Sequence, residues 1–249
     1  HNLGLYHYSV DVSEDSDQLL KQVRGVIVDT STNEIVCRTF PYTPDYIVSR
    51  DVKTRERLKL MLEPVFASFR FYTSFEGTII RIFNARGKWF VSTHKKINAD
   101  DSRWGNRASF EAQLRSALDT TIPENPFFKD YETFFTTLNP NRTYFLLLCP
   151  TKEGRIVSQP FVKPLVHFVG SFEGEKFIPP CESNMIPGLP YLLEHKFATF
   201  DEALDHVLNT SPVRSQGLVA MSSTLGFYKL TSAQYAYFYA LRGNQPNIG

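Results

Sequence analysis

The chain has too few cysteines, too far apart, for a covalent framework: Cys37, Cys149 and Cys181 are odd in number and fit no metal-ligand spacing. That excludes a disulfide-stapled secreted module and fits core thiols in a reducing compartment. Surplus charge is missing as well, with 27 Lys+Arg against 26 Asp+Glu and a formal net charge of +1 over 249 residues. Nucleic-acid binders normally carry a basic excess or stripe, so a molecule-wide basic field is excluded while a local basic groove is not. No two histidines stand at a spacing that suggests a metal site. No apolar run approaches the roughly 20 residues of a membrane span, and no signal-peptide pattern is visible. These absences predict a protein of a reducing compartment such as the cytoplasm, with no membrane role. The chain opens at His1 rather than Met, which leaves three readings open: a fragment, a processed product or the ordered part of a larger protein.

Apolar residues make up 42% and charged residues 21%, ordinary globular values, with aromatics high at 14%. Rings pack well on pleated surfaces, so a β-rich core is expected. Residues 23–40 read as a β-hairpin around Thr30-Ser31-Thr32-Asn33, and the two prolines of residues 41–46 predict an extended or turning segment. A short helix is expected over 53–62. A second hairpin, "EGTIIRIFN" and "KWFVSTHKK", surrounds Ala85-Arg86-Gly87. Helices are predicted over 108–120, capped by Ser109, over 126–138, opened by Pro126, and over 199–210, capped by Thr199. Strands are expected in "RTYFLLLCP", "RIVSQ", "KPLVHFVGSFEGEKF", 217–221 and 226–231, before an aromatic helix near "SAQYAYFYAL". With no internal repeat, low-complexity tract or long linker, the chain reads as one α+β domain of antiparallel sheets with inserted helices.

The pentapeptide "SFEGT", residues 74–78, resembles the first motif of the covalent nucleotidyltransferases, Lys-x-Asp-Gly followed by Ser or Thr and an apolar strand. Glu76, Gly77 and Thr78 fit its second half, and Ser74 stands where the family has lysine. Upstream, "RGVIVD" and "CRTFPYTPDY" are similar to the arginine-glycine strand and the next segment of phage-type RNA ligases. Downstream, "YFLLLCPTKEGRIV" resembles the third-motif strand and its successor, while "SQGLVAM" and "GFYKLTS" resemble the fourth and fifth motifs. The order holds over about residues 23–232, nearly the whole chain. "EGTIIRIF" and "GKWFVSTHKKINA" also resemble ligase-like proteins of large DNA viruses. The resemblance implies a nucleotidyltransferase fold (the ATP-grasp-like ligase adenylation domain) spanning residues 1–249, with ATP and Mg as the family's cofactors.

In that family a lysine amine attacks the α-phosphate of ATP or GTP and expels pyrophosphate, while carboxylates hold divalent cations and basic residues steady the phosphates. This chain departs from the scheme four times. Ser74 replaces the nucleophile, Leu146 stands at the third-motif glutamate, Gln216 at the fourth-motif glutamate, and Thr231 at one of two fifth-motif lysines, leaving Lys229. Four complementary losses predict a site released from adenylyl transfer, with no metal ligand assigned. The resemblance offers Arg24, Glu76, Gly77, Thr78, Arg155, Gln216 and Lys229 as nucleotide contacts. Arg24 and Arg155 read equally well as partners of surface carboxylates.

Lys95 and Lys96, placed at the end of a strand, are the fallback nucleophiles, and His94 reads as a strand residue rather than a base. The tract Arg103 to Arg107, with Trp104 inside it, reads as an exposed loop or a base-stacking phosphate contact. Tyr235 to Tyr239 read as core or interface. Three functions stay open. They are an inactive ligase-like module that recruits proteins and holds nucleotide or RNA, an active RNA ligase with a relocated lysine, and a purely structural virion or polymerase-associated protein.

Overall fold

The computed structural model describes residues 2–104, 108–121 and 126–243. Its strands are β1 (Leu3–His7), β2 (Arg24–Asp29), β3 (Glu34–Cys37), β4 (Asp45–Val48), β5 (Arg70–Ser74), β6 (Thr78–Ala85), β7 (Lys88–Ser92), β8 (Arg142–Cys149), β9 (Leu165–Glu173), β10 (Lys176–Ile178), β11 (Glu194–His195), β12 (Gly217–Ser222) and β13 (Gly226–Ser232). The α-helices are α1 (Gln18–Gln22), α2 (Val52–Leu62), α3 (Phe110–Thr121), α4 (Tyr131–Phe134), α5 (Phe200–Asn209) and α6 (Ala233–Arg242). They fall into two compact units: His1–Tyr42, Gly77–Gly154 and Phe161–Tyr191 form the first, and Thr43–Glu76, Arg155–Pro160 and Leu192–Gly249 the second.

The first unit holds two antiparallel sheets, β1-β2-β3 and β10-β9-β8-β6-β7. Local chemistry dictates both predicted hairpins. Asn33 takes a left-handed turn at φ 60° between β2 and β3. Between β6 and β7, Arg86 at φ 53° and Gly87 at φ 76° match the right-handed twist of the strands they join. Alternation along β6 sends Ile80 and Ile82 into a core with Leu146, Leu148 and Phe168, closed by Leu114 and Leu118 of α3. Burying one such side chain contributes about 1.5–3 kcal/mol. The opposite face carries Phe83 with Ile27 and Cys37, and also the fully buried Arg81.

The second unit is built on one five-stranded sheet, β11-β5-β12-β13-β4, in which only β13 and β4 run parallel. Its core sets Val48, Phe71, Leu218, Ala220 and Leu230 against Phe200, Leu204 and Val207 of α5 and Leu58 and Leu62 of α2. Arg55 bonds Asp201 at 2.9 Å and Asp205 at 2.6 Å, so ion pairs at the rim tie α2 to α5.

Three expected caps and helices stand as read: Ser109 accepts from the Ala112 amide at 3.1 Å, Thr199 from Glu202 at 3.2 Å, and α2 fills the 53–62 segment. Two elements differ. The helix expected over 126–138 begins only at Tyr131, because Asp130 closes a capping box with Thr133 (2.8 Å), and it tightens to a 3-10 turn at Phe135–Thr137. "RIVSQ" forms no strand, since its amides bond a carboxylate instead of a neighbouring strand. Among the described residues no helix is long and apolar enough to cross a membrane.

Candidate functional site

β5 and β12 pair in the centre of the second unit's sheet, with Ser74 opposite Gly217. Gly217 sits at φ +143°, and a Cβ there would stand 2.1 Å from the Leu230 carbonyl oxygen, so only glycine lets β12 start this close to β13. This approach brings Gln216 beside Ser74: the Gln216 amide donates to the Ser74 carbonyl at 2.8 Å, and the Ser74 hydroxyl donates to Gln216 Oε1 at 3.0 Å. Gln216 Nε2 in turn donates to the Tyr235 hydroxyl at 2.9 Å. Tyr235, on the first turn of α6, donates to Glu76 Oε1 at 2.8 Å. Four side chains thus form one chain of donors that ends on a carboxylate.

Glu76 is 3% exposed and accepts three further bonds. The amides of Val157 (2.6 Å) and Ser158 (2.9 Å) reach Oε1, and that of Ile156 (3.1 Å) reaches Oε2. Successive amides wrapped around one anion form a nest, which offsets the cost of burying its charge. The Ser158 hydroxyl fastens the same segment to the Pro212 carbonyl at 3.0 Å. Burial, and then the neighbouring Glu76 charge, push the Tyr235 phenol far up, so it stays a donor at any ordinary pH.

The positions that resemble a fifth motif, Lys229 and Thr231, meet a carboxylate too. β13 lies parallel to β4 with Lys229 paired to Asp45; Lys229 Nζ reaches Asp45 Oδ2 at 3.1 Å, and the Thr231 hydroxyl donates to Asp45 Oδ1. Arg155 is exposed, and its carbonyl accepts from Arg242 at 3.3 Å. Ser74, Glu76 and Gln216 are therefore drawn into one network, with Lys229 in a separate ion pair. Sequence reasoning read Tyr235 as core or interface and missed its phenol as the link. Serine N-capping of α6, where Ser232 accepts from the Tyr235 amide at 3.1 Å, was the available signal, since it marks where the helix begins and so puts Tyr235 on its first turn.

The remaining expected residues belong to the first unit. Gly77 is a close-approach position: a Cβ would lie 2.6 Å from the Leu148 carbonyl oxygen and 2.7 Å from Leu147 Cδ1. Thr78 opens β6 opposite Leu148. Leu146 is fully buried among Ile80, Phe168 and their neighbours, a place for packing rather than for a metal-facing carboxylate. His94, Lys95 and Lys96 lie past the end of β7, in a turn closed by the Thr93 amide on the Lys96 carbonyl at 2.9 Å, and not in the strand. The turn forms because the Thr93 hydroxyl accepts from the Lys96 amide at 3.1 Å. Both lysines are exposed. Trp104 packs against the first core, Arg103 is exposed, and Arg107 lies outside the described residues.

The implied ATP and Mg test poorly against the second unit's donors. Both Glu76 oxygens already accept hydrogen bonds, Gln216 is neutral, and Asp45 is held by Lys229 and Thr231. That set does not fit a divalent cation, which needs several free oxygen ligands. Among the described residues no group of three or more His, Cys, Asp or Glu is placed to hold a metal.

No protein-family model matches the chain. It is 28% identical over 244 residues to the immediate-early protein ICP-46 homolog of Invertebrate iridescent virus 3, covering 96% of this chain and 52% of that protein. To the homolog of Invertebrate iridescent virus 6 it is 30% identical over 237 residues, covering 91% and 51%. The chain thus spans about half the length of these curated relatives. Among solved structures, a protein of Aquifex aeolicus provisionally named an ATP-dependent DNA ligase matches with a TM-score of 0.52 and 11% identity, over 94% of this chain and 60% of that one. A Naegleria gruberi RNA ligase with PPi matches at 0.51 and 12%, over 86% and 67%. The chain has the α+β nucleotidyltransferase fold of the ATP-dependent RNA and DNA ligases.

Proposed function

We propose that this chain is the nucleotidyltransferase-fold part of a large-DNA-virus protein that has given up lysine adenylylation and works as a recruiting module. Residues 1–249 act in this reading as one RNA-ligase-like domain, supported by a structural likeness covering 94% of the chain. Its viral setting, in the cytoplasm or virion, is supported by the similarity to iridescent-virus proteins. One observation carries the loss of chemistry: Ser74, Gln216, Tyr235 and Glu76 are joined by a continuous chain of hydrogen bonds, and three backbone amides take up the rest of the Glu76 carboxylate. A serine hydroxyl already donating to a neutral amide has no base to activate it. Nucleotide or RNA is held through remaining basic groups, and protein partners complete the role.

The test is incubation with ATP or GTP labelled at the α-phosphate, in the presence of magnesium or manganese. No covalent protein–nucleotide band should survive denaturation, and such a band overturns the reading. If a band appears, the Lys95→Ala/Lys96→Ala double variant decides whether a relocated lysine forms it. Thermal unfolding separates a nucleotide-holding module from a purely structural protein, because a ligand of the native state raises Tm.

A further inference from the structure

We propose that His195 and His206 form an acid-released latch that holds the edge strand β11 on β5. β11 is the shortest strand of its sheet and joins β5 through two residue pairs, Glu194 with Tyr72 and His195 with Phe71. Side chains supply the rest of its hold. His195 Nε2 and the Thr73 hydroxyl are hydrogen-bonded at 2.7 Å, and the ring of His195 meets that of His206 on α5 with centroids 4.8 Å apart. Phe197 closes the cluster, its ring 5.4 Å from that of His206 and 5.7 Å from that of Phe71. The strand is thus fastened to β5 and α5 through two imidazoles.

Both rings are half-buried, and burial lowers the proton affinity of each; the field of His206 lowers that of His195 further. The surrounding charges are spent elsewhere. Glu194 on β11 faces Arg70 of β5 at 3.6 Å, and Asp205 on α5 faces Arg55 of α2 at 2.6 Å. Asp201 is held by Arg55 and Lys59, Glu202 accepts from the Ala198 amide at 2.8 Å, and Lys196 is exposed. Among the described residues neither ring has an ion-paired carboxylate. Two imidazolium charges in contact repel, and more strongly where water is partly excluded. The closed strand therefore binds fewer protons than an open one. Acidification below 6.5, the ordinary histidine value, favours opening by about ten-fold per pH unit for each ring that titrates fully. Once β11 leaves, Phe71 and Tyr72 of β5 present unpaired backbone groups, a template to which another strand can add.

The latch lies within the second unit and does not depend on whether Ser74 supports transfer or on what the chain recruits. Hydrogen exchange of the whole chain tests it, with rates corrected for the intrinsic effect of pH. Between about pH 7.5 and about pH 5, the amides of residues 192–197 should lose at least about ten-fold in protection, while those of α5, β12 and β13 keep theirs. In the same wild-type sample the ring signals of His195 and His206 should titrate with those amides, below 6.5. His206→Gln removes one of the two charges and should flatten the loss, whereas His167→Gln, in the first unit, should leave it unchanged. Rings that titrate while residues 192–197 stay protected overturn the latch. So does protection lost at one pH throughout the second unit, which is unfolding of the whole sheet, and so does a loss of equal size in His206→Gln.

Discussion

Glu76 meets four donors, and its substitutions separate shape from charge. In Glu76→Gln one acceptor oxygen becomes an NH2 group, which must face an amide N–H or turn away from it. A loss of about 1–3 kcal/mol is expected, read as a fall in the denaturation midpoint. Glu76→Ala leaves three amides and the Tyr235 phenol without an acceptor and should cost about 3–5 kcal/mol. A smaller loss for Ala than for Gln would mean that the amide nest does not depend on the carboxylate. Ser74→Lys tests the other end of the network. Ser74 is 4% exposed, so a lysine there must bury an ammonium beside Gln216. A lower melting temperature with no gain of nucleotide labelling is expected; labelling would show that the nucleophile was the sole missing part.

Among the elements, β6 and its approach to β8 depend on a missing side chain. Gly77→Ala places a methyl group 2.6 Å from a backbone oxygen that belongs to a paired strand and cannot move aside. Destabilisation of about 1–3 kcal/mol is expected from equilibrium unfolding, comparable to overpacking a core. Helix α5 is held by its cap and its apolar face together. Thr199→Ala removes only the cap and should cost about 1 kcal/mol, with the near-ultraviolet spectrum of the folded state unchanged.

For the whole molecule, acid should act in two stages. His94, His167, His195 and His206 are all held below the usual histidine range, chiefly by burial. The unfolded chain then binds more protons than the native one as pH falls through 6.5, the ordinary histidine value. Stability should decline from that point toward about 4, where His94 itself protonates. Asp29, Asp51, Asp130 and Asp201 are held low by hydrogen bonds, so the stability they add is present above the ordinary aspartate value of 3.8 and is lost below it. Urea midpoints measured across this range should show the first decline shallower in His94→Gln, and an unchanged slope would remove His94 from the account.

Much of the fold follows from local pattern. Alternation named both hairpins, and the serine and threonine caps named α3 and α5, because these signals depend on residues a few positions apart. The order of the ligase-like motifs was likewise written in one dimension, and so was the serine at position 74. Tertiary structure decided what those residues touch. Residues 155–159 look like a strand by composition, yet the amides of Ile156, Val157 and Ser158 are taken by Glu76, about 80 positions earlier. Tyr235 looks like one ring among several, and only the packing of α6 selects its phenol to link Gln216 and Glu76. A neutral total charge also hides that the rings of His7 and His94 lie 5.5 Å apart, centroid to centroid, because summing charges along a chain discards where residues meet. "SFEGT" alone resembles a ligase motif; the folded chain shows that its serine and glutamate already have partners, since hydrogen bonding and burial act on neighbours in space.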